Sequence, residues 1–513
     1  MACGSAGAKR PGGFVPGQGV PQAPPKKVPK AAALIMVRKD DAVLPTPPTK
    51  IQEVAAVAPS STSVQVGPQA VVPCACLGKS PRRWKSVDEV FGWPIGVYAF
   101  KTSAKTVVRY HALFAAVPRR QELIGCFATK EEAAVAWDTE ARGRGWTVLN
   151  SASSPGCISA RVHLRAKLAS SEMAGFPYAP VDAGWRQAEL QKLLTCSGEE
   201  VIRATWATSQ EGKLGAQQAA HSTAPGNQLC WSWQSHVAEV KKRLKSGESG
   251  NSAMDTYKDR VLLAKCVRSS VEYGADPEVS RLTLNGELHF LRGSWILNFQ
   301  PLVAAAIYRR YGAGDGSVPW PTSDKRITVY DSSAGWGGRM LGALLSPVVC
   351  KYIACEPSTK TFAGLQQMLD FIDSHTVRAP EDFEVELHCC GSEAFELPAE
   401  SVDFALTSPP YFSLELYSDE PTQSHVKFPR FRSWVVGFLR PTLANTFRGL
   451  KAGSFCLINI ADNQMQRDQG IYLEQATMTT ATEQGFVHES TLRLLKADGS
   501  AEKWEPIFVF RKC

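Results

Sequence analysis

The stretch Ser408-Pro409-Pro410-Tyr411 combines groups that could hold an amino group in place for chemistry. The Ser408 hydroxyl and the Pro409 carbonyl can each accept a hydrogen bond, so together they can bind both N–H groups of a planar amine. Binding both N–H groups localises the nitrogen lone pair on one side. The two prolines make the carbonyl geometry rigid and remove competing backbone donors, and Tyr411 can stack on a flat ring. We therefore take these four residues as candidate catalytic residues.

A second stretch, residues 331–338, reads DSSAGWGG and is typical of a turn that approaches a ligand closely. Glycine allows positive φ and leaves room for a bound group next to the backbone. An acidic residue follows the next predicted strand, where it can bind ribose hydroxyls. An acid precedes the glycines and no GxGxxG is present, which argues against a dinucleotide. The candidate ligand-binding residues are Asp331, Ser333, Ala334, Gly335, Gly337 and Glu356.

Strands and helices alternate from residue 299 to the end of the chain. This alternation predicts an α/β fold, in which a mostly parallel sheet is covered by helices on both faces. A C-terminal hairpin, 490–495 with 506–511, adds an antiparallel edge. Ligands of such sheets bind at the carboxyl ends of the strands, where both candidate stretches lie. The predicted strands are 327–331, 351–355, 383–389, 402–407 and 454–460, and the predicted helices are 301–311, 339–345, 360–374, 432–450 and 472–485.

The two motifs in this order resemble those of amino-methyltransferases that use S-adenosyl-L-methionine, over about residues 290–513. In that family a glycine run closes the first motif, and the catalytic motif is Asn, Asp or Ser followed by Pro-Pro and an aromatic residue. The resemblance implies a Rossmann-like methyltransferase sheet with S-adenosyl-L-methionine as cofactor. It also implies that Phe299 and Pro301 form the cofactor-side segment and that Gly391 lies near the adenine ring.

The resemblance further implies direct methyl transfer to an exocyclic amino group of a base flipped out of double-stranded DNA. Serine at the first motif position favours N4 of cytosine. The alternatives are adenine N6 in DNA, an amino group in RNA, and a catalytically inactive DNA-binding regulator. Methylation of a cytosine ring carbon needs a Pro-Cys nucleophile at the fourth strand, and the only Pro-Cys of the chain is Pro73-Cys74. Residues 413–428 could be a target-recognition lid or a surface loop.

Residues 81–150 predict a small α+β module with strands at 96–100, 106–114 and 122–127. Thr129 and Glu132 form the sequence signature of a capping box at the start of a helix. Residues 96–98, 124–127 and 131–138, with Asn150, resemble the DNA-binding domain of plant ethylene-response factors (Apetala type). The usual aromatic residue of the second strand is not evident at 106–108, and a packing module with a solvated basic face is the alternative. The resemblance implies DNA contacts at Lys101, Lys105, Arg109 and His111.

Composition sets the remaining expectations. The net charge of +8 is concentrated in the first 150 residues, which suggests a polyanion-binding front end, with a solubilising tail as the alternative. The composition of residues 1–80, rich in Pro and Ala, predicts a disordered basic tail. For residues 151–284 we predict a linker followed by helices, 186–195 and 235–244, of unknown role. The methyltransferase domain is predicted at 285–513. The chain shows no membrane span or secretory signal, and its 14 cysteines lack metal-ligand spacing. We expect a nuclear location, with the cytoplasm as the alternative, and the pattern does not fix the oligomeric state.

Overall fold

The computed structural model describes residues 84–101, 108–118, 120–151, 158–178, 181–196, 213–214, 226–291, 296–314, 325–375, 377–379, 381–495 and 504–513. All of them belong to one compact unit. The predicted tail, residues 1–80, lies outside the described residues, as does Lys105. The domain boundaries predicted at residues 80, 150 and 284 stay predictions.

The strands form one large sheet and one small sheet, with two short two-stranded pairs besides. The strands are β1 Val97–Lys101, β2 Val108–Val117, β3 Arg120–Phe127, β4 Val148–Leu149, β5 Ile158–Ser159, β6 Lys213–Leu214, β7 Lys241–Lys242, β8 Ile327–Asp331, β9 Val349–Cys355, β10 Glu384–His388, β11 Val402–Thr407, β12 Glu415–Leu416, β13 Leu450–Asn459, β14 Phe486–Leu495 and β15 Trp504–Lys512.

The large sheet has the order β10-β9-β8-β11-β13-β15-β14-β6. Strands β10, β9, β8, β11 and β13 are parallel, and β15 is antiparallel to both β13 and β14. The predicted Rossmann-like sheet with a C-terminal antiparallel hairpin is therefore confirmed. Chain order reverses between β8 and β11, and this reversal creates a crevice at their carboxyl ends.

The helices cover both faces of the large sheet and pack around the small one. Two helices continue into a π-helical turn, at Tyr308–Gly312 and at Val435–Leu439, so the predicted helices 301–311 and 432–450 are not regular throughout. The α-helices are Val87–Gly92, Lys130–Gly143, Ala160–Ala174, Ala183–Cys196, Asn227–Trp231, Ala253–Lys258, Arg260–Glu272, Arg281–Leu291, Pro301–Ile307, Gly338–Leu345, Thr359–Ser374, Ser424–Lys427, Phe431–Trp434, Arg440–Gly449, Gln464–Arg467 and Leu473–Glu483.

The small sheet, β1-β2-β3, packs against the helix Lys130–Gly143. Trp137 and Phe114 are buried between them, with ring centroids 5.6 Å apart. The predicted capping box is confirmed, because the Thr129 hydroxyl accepts from the Glu132 N–H at 3.1 Å while Glu132 accepts from the Thr129 N–H. The three-strand, one-helix module is present as predicted.

Residues 151–284 contain more regular structure than expected. The segment read as a linker includes the helix Ala160–Ala174, whose apolar face joins Arg260–Glu272 and the small module in one hydrophobic cluster. The predicted helix at 235–244 is instead a 3-10 turn, Ser235–Glu239, followed by β7. The turn and strand form because β7 pairs with β12 far along the chain, which overrides local propensity. No helix in the described part of the chain is both long and apolar enough to cross a membrane.

Candidate active site

The carboxyl ends of β8 and β11 lie side by side and bring the two candidate stretches together. Strand β8 ends at Asp331, just before the glycine-rich turn, and β11 ends at Thr407, just before Ser408. The Ser332 hydroxyl donates to the Thr407 hydroxyl at 3.0 Å and links the two ends. This is the crevice at which chain order reverses.

A cavity of about 820 Å³, open to solvent, occupies this crevice. Seven predicted residues line it, whereas Pro301, Asp331, Ala334, Gly337, Pro409 and Tyr411 do not. The lining residues that the sequence predicted are Phe299, Ser333, Gly335, Glu356, Gly391, Ser408 and Pro410.

Asp331 stabilises the glycine-rich turn through hydrogen bonds and does not line the cavity. Its carboxylate is fully buried and accepts from Arg339 Nε at 2.7 Å, from the Tyr352 hydroxyl at 2.6 Å and from the Ser333 N–H at 3.1 Å. Burial alone would lower the pKa of Arg339, but the charge of Asp331 raises it, so the guanidinium stays protonated. The structure thus gives Asp331 a supporting position and not the direct ligand contact that the sequence predicted.

Glu356 is the acidic residue that faces the cavity. Its carboxylate accepts from the Gly335 N–H at 3.0 Å and from the Ser358 N–H at 2.9 Å. Burial raises the pKa of this carboxyl to about 7, despite those two hydrogen bonds. A carboxyl held this way changes charge near neutral pH and can accept from hydroxyl donors when ionised.

Glu393 is a lining residue that the sequence reading missed. Its side chain is 7% exposed; Oε1 forms an ion pair with Lys427 Nζ at 2.6 Å. The other oxygen, Oε2, is buried and has no hydrogen-bond partner among the described residues. An unpartnered buried carboxylate oxygen is costly, so it marks a place for a donor group of a ligand. The only feature of the sequence that could have indicated Glu393 as a cavity residue is its position two residues after Gly391.

The loop that follows the Ser-Pro-Pro-Tyr motif forms a wall of the cavity. Strand β12 in this loop pairs with β7, and Lys242 Nζ contacts Glu415 at 2.9 Å. Glu420 accepts from the Thr359 N–H at 3.0 Å, while Tyr417 lines the cavity and lies 5.9 Å from the Trp336 ring. The loop at 413–428 therefore lines the cavity, and its role in target recognition stays a prediction.

The motif itself is held rigidly. The Phe412 N–H donates to the Pro410 carbonyl at 2.8 Å, and Phe412 has φ of 53°, in the left-handed region. A non-glycine residue in this region costs about 1–3 kcal/mol and persists only where packing enforces it. Here Phe412 is buried against Phe431 and Trp434, at centroid distances of 5.5 and 5.8 Å.

Tyr411 points away from the cavity lining. Its phenol donates to Glu505 Oε2 at 3.2 Å. Gln466 Nε2 donates to the Tyr411 carbonyl at 2.9 Å. The predicted stacking of Tyr411 on a base stays a prediction, since the phenol engages other groups here.

The small sheet presents only part of the predicted DNA-facing surface. The register pairs Phe100 with Arg109 and Tyr98 with His111, so Arg109 and His111 share a face as predicted. Position 101 pairs with Val108 in the same register. Arg109 is exposed. Tyr98, on the Arg109 face, packs against Tyr273, with ring centroids 6.3 Å apart, so this end of the face is covered.

No family model matches the chain, and no curated protein matches it in sequence. Part of the chain matches solved structures, two of them methyltransferases and one a cyclopropane synthase. One from Methanosarcina mazei is 11% identical over 37% of this chain and 93% of that one, with a TM-score of 0.28. The N-methyltransferase NodS from Bradyrhizobium japonicum is 12% identical over 37% and 87%, with a TM-score of 0.25. The match to the cyclopropane synthase MmaA2 from Mycobacterium tuberculosis is 14% identical over 33% and 57%, with a TM-score of 0.23. These values are low, so function must be inferred from the site residues.

Proposed function

We propose that this chain transfers a methyl group from S-adenosyl-L-methionine to an exocyclic amino group of a DNA base, N4 of cytosine. The observation that carries the proposal is a single cavity lined both by the glycine-rich turn with Glu356 and by Ser408 and Pro410. A cofactor bound at the glycine-rich turn and Glu356 would therefore lie next to an acceptor bound at Ser408 and Pro410. The finer choice of cytosine rests on serine at the first motif position.

The cavity offers groups that fit the cofactor. The ionised Glu356 carboxylate can accept from ribose hydroxyls. The unpartnered Oε2 of Glu393 can accept from the amino group of an adenine ring, since Gly391 leaves that side open. Trp336 and Phe299 supply apolar walls. When bound, the cofactor supplies an electrophilic methyl group on a sulfonium centre.

On the acceptor side, the chain's own groups would activate and hold the amine. The Ser408 hydroxyl lines the cavity and would accept from one N–H group of the amine. The Pro409 carbonyl, the second acceptor that the sequence predicts, is not among the lining groups. The rate gain would come from orientation and fixed dipoles. Arg430 and Arg432 are exposed on either side of Phe431, which packs on Phe412 next to the motif. These cations would contact the phosphates of a nucleic acid that reaches Ser408.

The small N-terminal module supports DNA as the acceptor. It has the three strands and one helix of the Apetala-type domain that its sequence resembles, and Arg109 is exposed on its sheet. A DNA substrate in turn favours a nuclear location.

Mass spectrometry of nucleosides tests the proposal. The full chain is incubated with S-adenosyl-L-methionine and either random-sequence duplex DNA or random-sequence RNA, and the nucleosides are then released. We expect N4-methyldeoxycytidine from the DNA. N6-methyldeoxyadenosine would move the acceptor to adenine, and methylated ribonucleosides alone would contradict a DNA substrate. A wild-type chain that does not bind the cofactor would favour an inactive regulator.

Replacing Arg109 by alanine is expected to weaken DNA binding and to reduce the slope of log affinity against log salt by about one. The physical reason is the loss of one cation–phosphate contact and of the counterion release that accompanies it. Fluorescence anisotropy with a labelled duplex at several salt concentrations measures both. Arg142→Ala, an exposed arginine on the helix of the same module, is the matched control. An unchanged slope in Arg109→Ala would show that this face does not touch phosphate.

The affinity for S-adenosylhomocysteine is expected to fall about tenfold between pH 8 and pH 6. Since the raised pKa of Glu356 is about 7, the carboxyl is mostly ionised at pH 8 and mostly neutral at pH 6. Only the ionised form accepts fully from hydroxyls, so binding below pH 7 must release a proton. Calorimetry in two buffers with different ionisation enthalpies measures both effects.

Two variants control this pH experiment. Glu356→Gln should bind weakly at both pH values, with no pH dependence. Glu384→Gln, in an exposed pair with Lys351, should keep the wild-type profile. A pH-dependent Glu356→Gln variant would place the titrating group elsewhere.

A further inference from the structure

Two residues of the cavity wall each carry a buried polar atom that has no hydrogen-bond partner among the described residues. One atom is Oε2 of Glu393, and the other is Nε2 of Gln423, a residue that is 4% exposed. Both residues line the cavity. An ionised carboxylate oxygen accepts hydrogen bonds, and an amide nitrogen donates them. Since a buried polar atom without a partner is costly, the two atoms together indicate a ligand edge that carries one donor and one acceptor.

A single lysine connects these two residues. Lys427 Nζ forms an ion pair with Glu393 Oε1 at 2.6 Å, and the Lys427 N–H donates to the Gln423 carbonyl at 3.0 Å. A Cβ added at Gly391 would overlap the Glu393 carboxylate, so the carboxylate lies against backbone that has no side chain. Lys427 therefore holds the acceptor and the donor in the same part of the cavity.

The loop that carries Gln423 is attached to the cofactor half of the cavity. Thr422 Oγ1 donates to the Pro357 carbonyl at 2.7 Å, and Glu420 accepts from the Thr359 N–H at 3.0 Å. Pro357 and Thr359 come directly after the candidate ribose ligand. These contacts place the loop against the segment that would bind the nucleoside of the cofactor.

The sheet order separates Glu393 from the acceptor end of the cavity. Glu393 follows β10 and Ser408 follows β11, and both β9 and β8 lie between these two strands. Neighbouring strands are about 4.8 Å apart, so the ends of β10 and β11 are about 14 Å apart. This separation favours a ring at Glu393 other than the ring whose amino group meets Ser408.

We propose that Gln423 is a specificity-determining residue for the cofactor, and that its Nε2 donates to N1 of the adenine ring of S-adenosyl-L-methionine. Adenine carries an amino donor next to the ring acceptor N1, which matches Glu393 Oε2 next to Gln423 Nε2. Cytosine carries the same two groups at N4 and N3, so the test must separate the two rings. The inference rests on the proposed function and makes the loop after the catalytic motif part of the cofactor site.

The test compares two ligands, S-adenosylhomocysteine and its 1-deaza analogue, in which a C–H group replaces N1. Calorimetry with the full chain gives both affinities. The wild type should bind the 1-deaza analogue about tenfold more weakly, because Gln423 Nε2 is then left without an acceptor. Gln423→Met keeps the length of the side chain and removes the donor. It should bind S-adenosylhomocysteine about tenfold more weakly than the wild type does, and the two ligands within about twofold of each other.

The preference between the two ligands distinguishes a direct contact from a structural role. If Gln423 only stabilised the loop, Gln423→Met would weaken both ligands equally and keep the tenfold preference, and this result would overturn the inference. Gln367→Met is the matched control, since Gln367 is exposed on the helix Thr359–Ser374; it should keep the wild-type preference. Thermal unfolding shows whether each variant folds, and the comparison in the wild type needs no variant.

The outcomes also separate this inference from the proposed function. Equal binding of the two ligands by the wild type would overturn the Gln423 contact while methyl transfer stands. A Gln423→Met variant with wild-type affinity for S-adenosylhomocysteine and a tenfold higher KM for random-sequence duplex DNA would assign Gln423 to the acceptor ring, and the inference would be wrong. A wild-type chain that prefers S-adenosylhomocysteine but methylates neither DNA nor RNA would overturn the proposed function and retain the contact.

Discussion

Replacing Ser408 by alanine is expected to lower kcat for methyl transfer by about 10²–10³-fold, as for the loss of one preorganised hydrogen-bonding group at a reacting centre. The Ser408 hydroxyl is at the acceptor end of the cavity, next to the rigid Pro409-Pro410 backbone. Without it, one N–H of the acceptor amine has no partner and the lone pair stays conjugated with the ring. Single-turnover measurements with radiolabelled cofactor and random-sequence duplex DNA give this rate directly.

The affinity of the Ser408→Ala variant for S-adenosylhomocysteine is expected to be unchanged within about twofold, because the glycine-rich turn, Glu356 and Glu393 bind that side. The control is Ser401→Ala at the opposite end of β11, where the hydroxyl donates to the Pro398 carbonyl at 2.7 Å. If Ser408→Ala kept wild-type kcat, the motif would be a rigid strand exit without a chemical role. If it lost cofactor affinity as well, Ser408 would belong to the cofactor side of the cavity.

The large sheet could be predicted from sequence because its strands are buried on both faces. Val402–Thr407 and Ile327–Asp331 are short apolar runs bounded by turn residues, and their observed bounds match the predicted ones. Apolar strands that alternate with helices in the sequence form a parallel sheet covered by helices in nearly all folds of this kind. The closing hairpin was predicted shorter than it is, since β14 begins at Phe486. The first residues of β14 were missed because their sequence does not alternate between apolar and polar as a strand usually does.

Contacts between distant segments could not be predicted from local pattern. Lys241 and Lys242 read as part of a helix, yet they pair with Glu415 and Leu416 and hold the loop over the cavity. Only the packed tertiary structure brings these segments together. The same holds for Glu505, which is far from the motif in sequence and reaches Tyr411 through the sheet order.

Burial decides which candidate residues meet a ligand, and sequence does not report burial. Asp331 ends β8 and Glu356 directly follows β9, and both were candidates for direct contact. Asp331 turned out to be the buried partner of Arg339, whereas Glu356 lines the cavity. Glu393 was missed because a glutamate after a strand is usually solvated. In the small module, Tyr273 covers the sheet face at Tyr98 because a distant helix packs there.

Replacing Gly338 by alanine is expected to weaken S-adenosylhomocysteine binding by more than about 100-fold, or about 2.7 kcal/mol. Gly338 begins the helix after the glycine-rich turn, and its Cα lies against the segment that carries Phe299. An added Cβ would overlap the Phe299 carbonyl oxygen and would lie 2.8 Å from Asn298 Oδ1. The backbone oxygen cannot rotate away, so either the segment or the turn must move. Both line the cavity, and either movement separates its two walls.

Calorimetry with S-adenosylhomocysteine measures the loss, and thermal unfolding shows whether the variant folds. Overpacking of this kind also destabilises proteins by about 1–3 kcal/mol, so a lowered Tm is expected together with the lost affinity. Gly286→Ala is the matched control, since it lies in the helix Arg281–Leu291 with open space around the added Cβ. A Gly338→Ala variant that folds and binds within threefold of wild type would mean that Phe299 and the turn can separate without harm. In that case the contact between the segment at Phe299 and the helix start would not be part of the cofactor site.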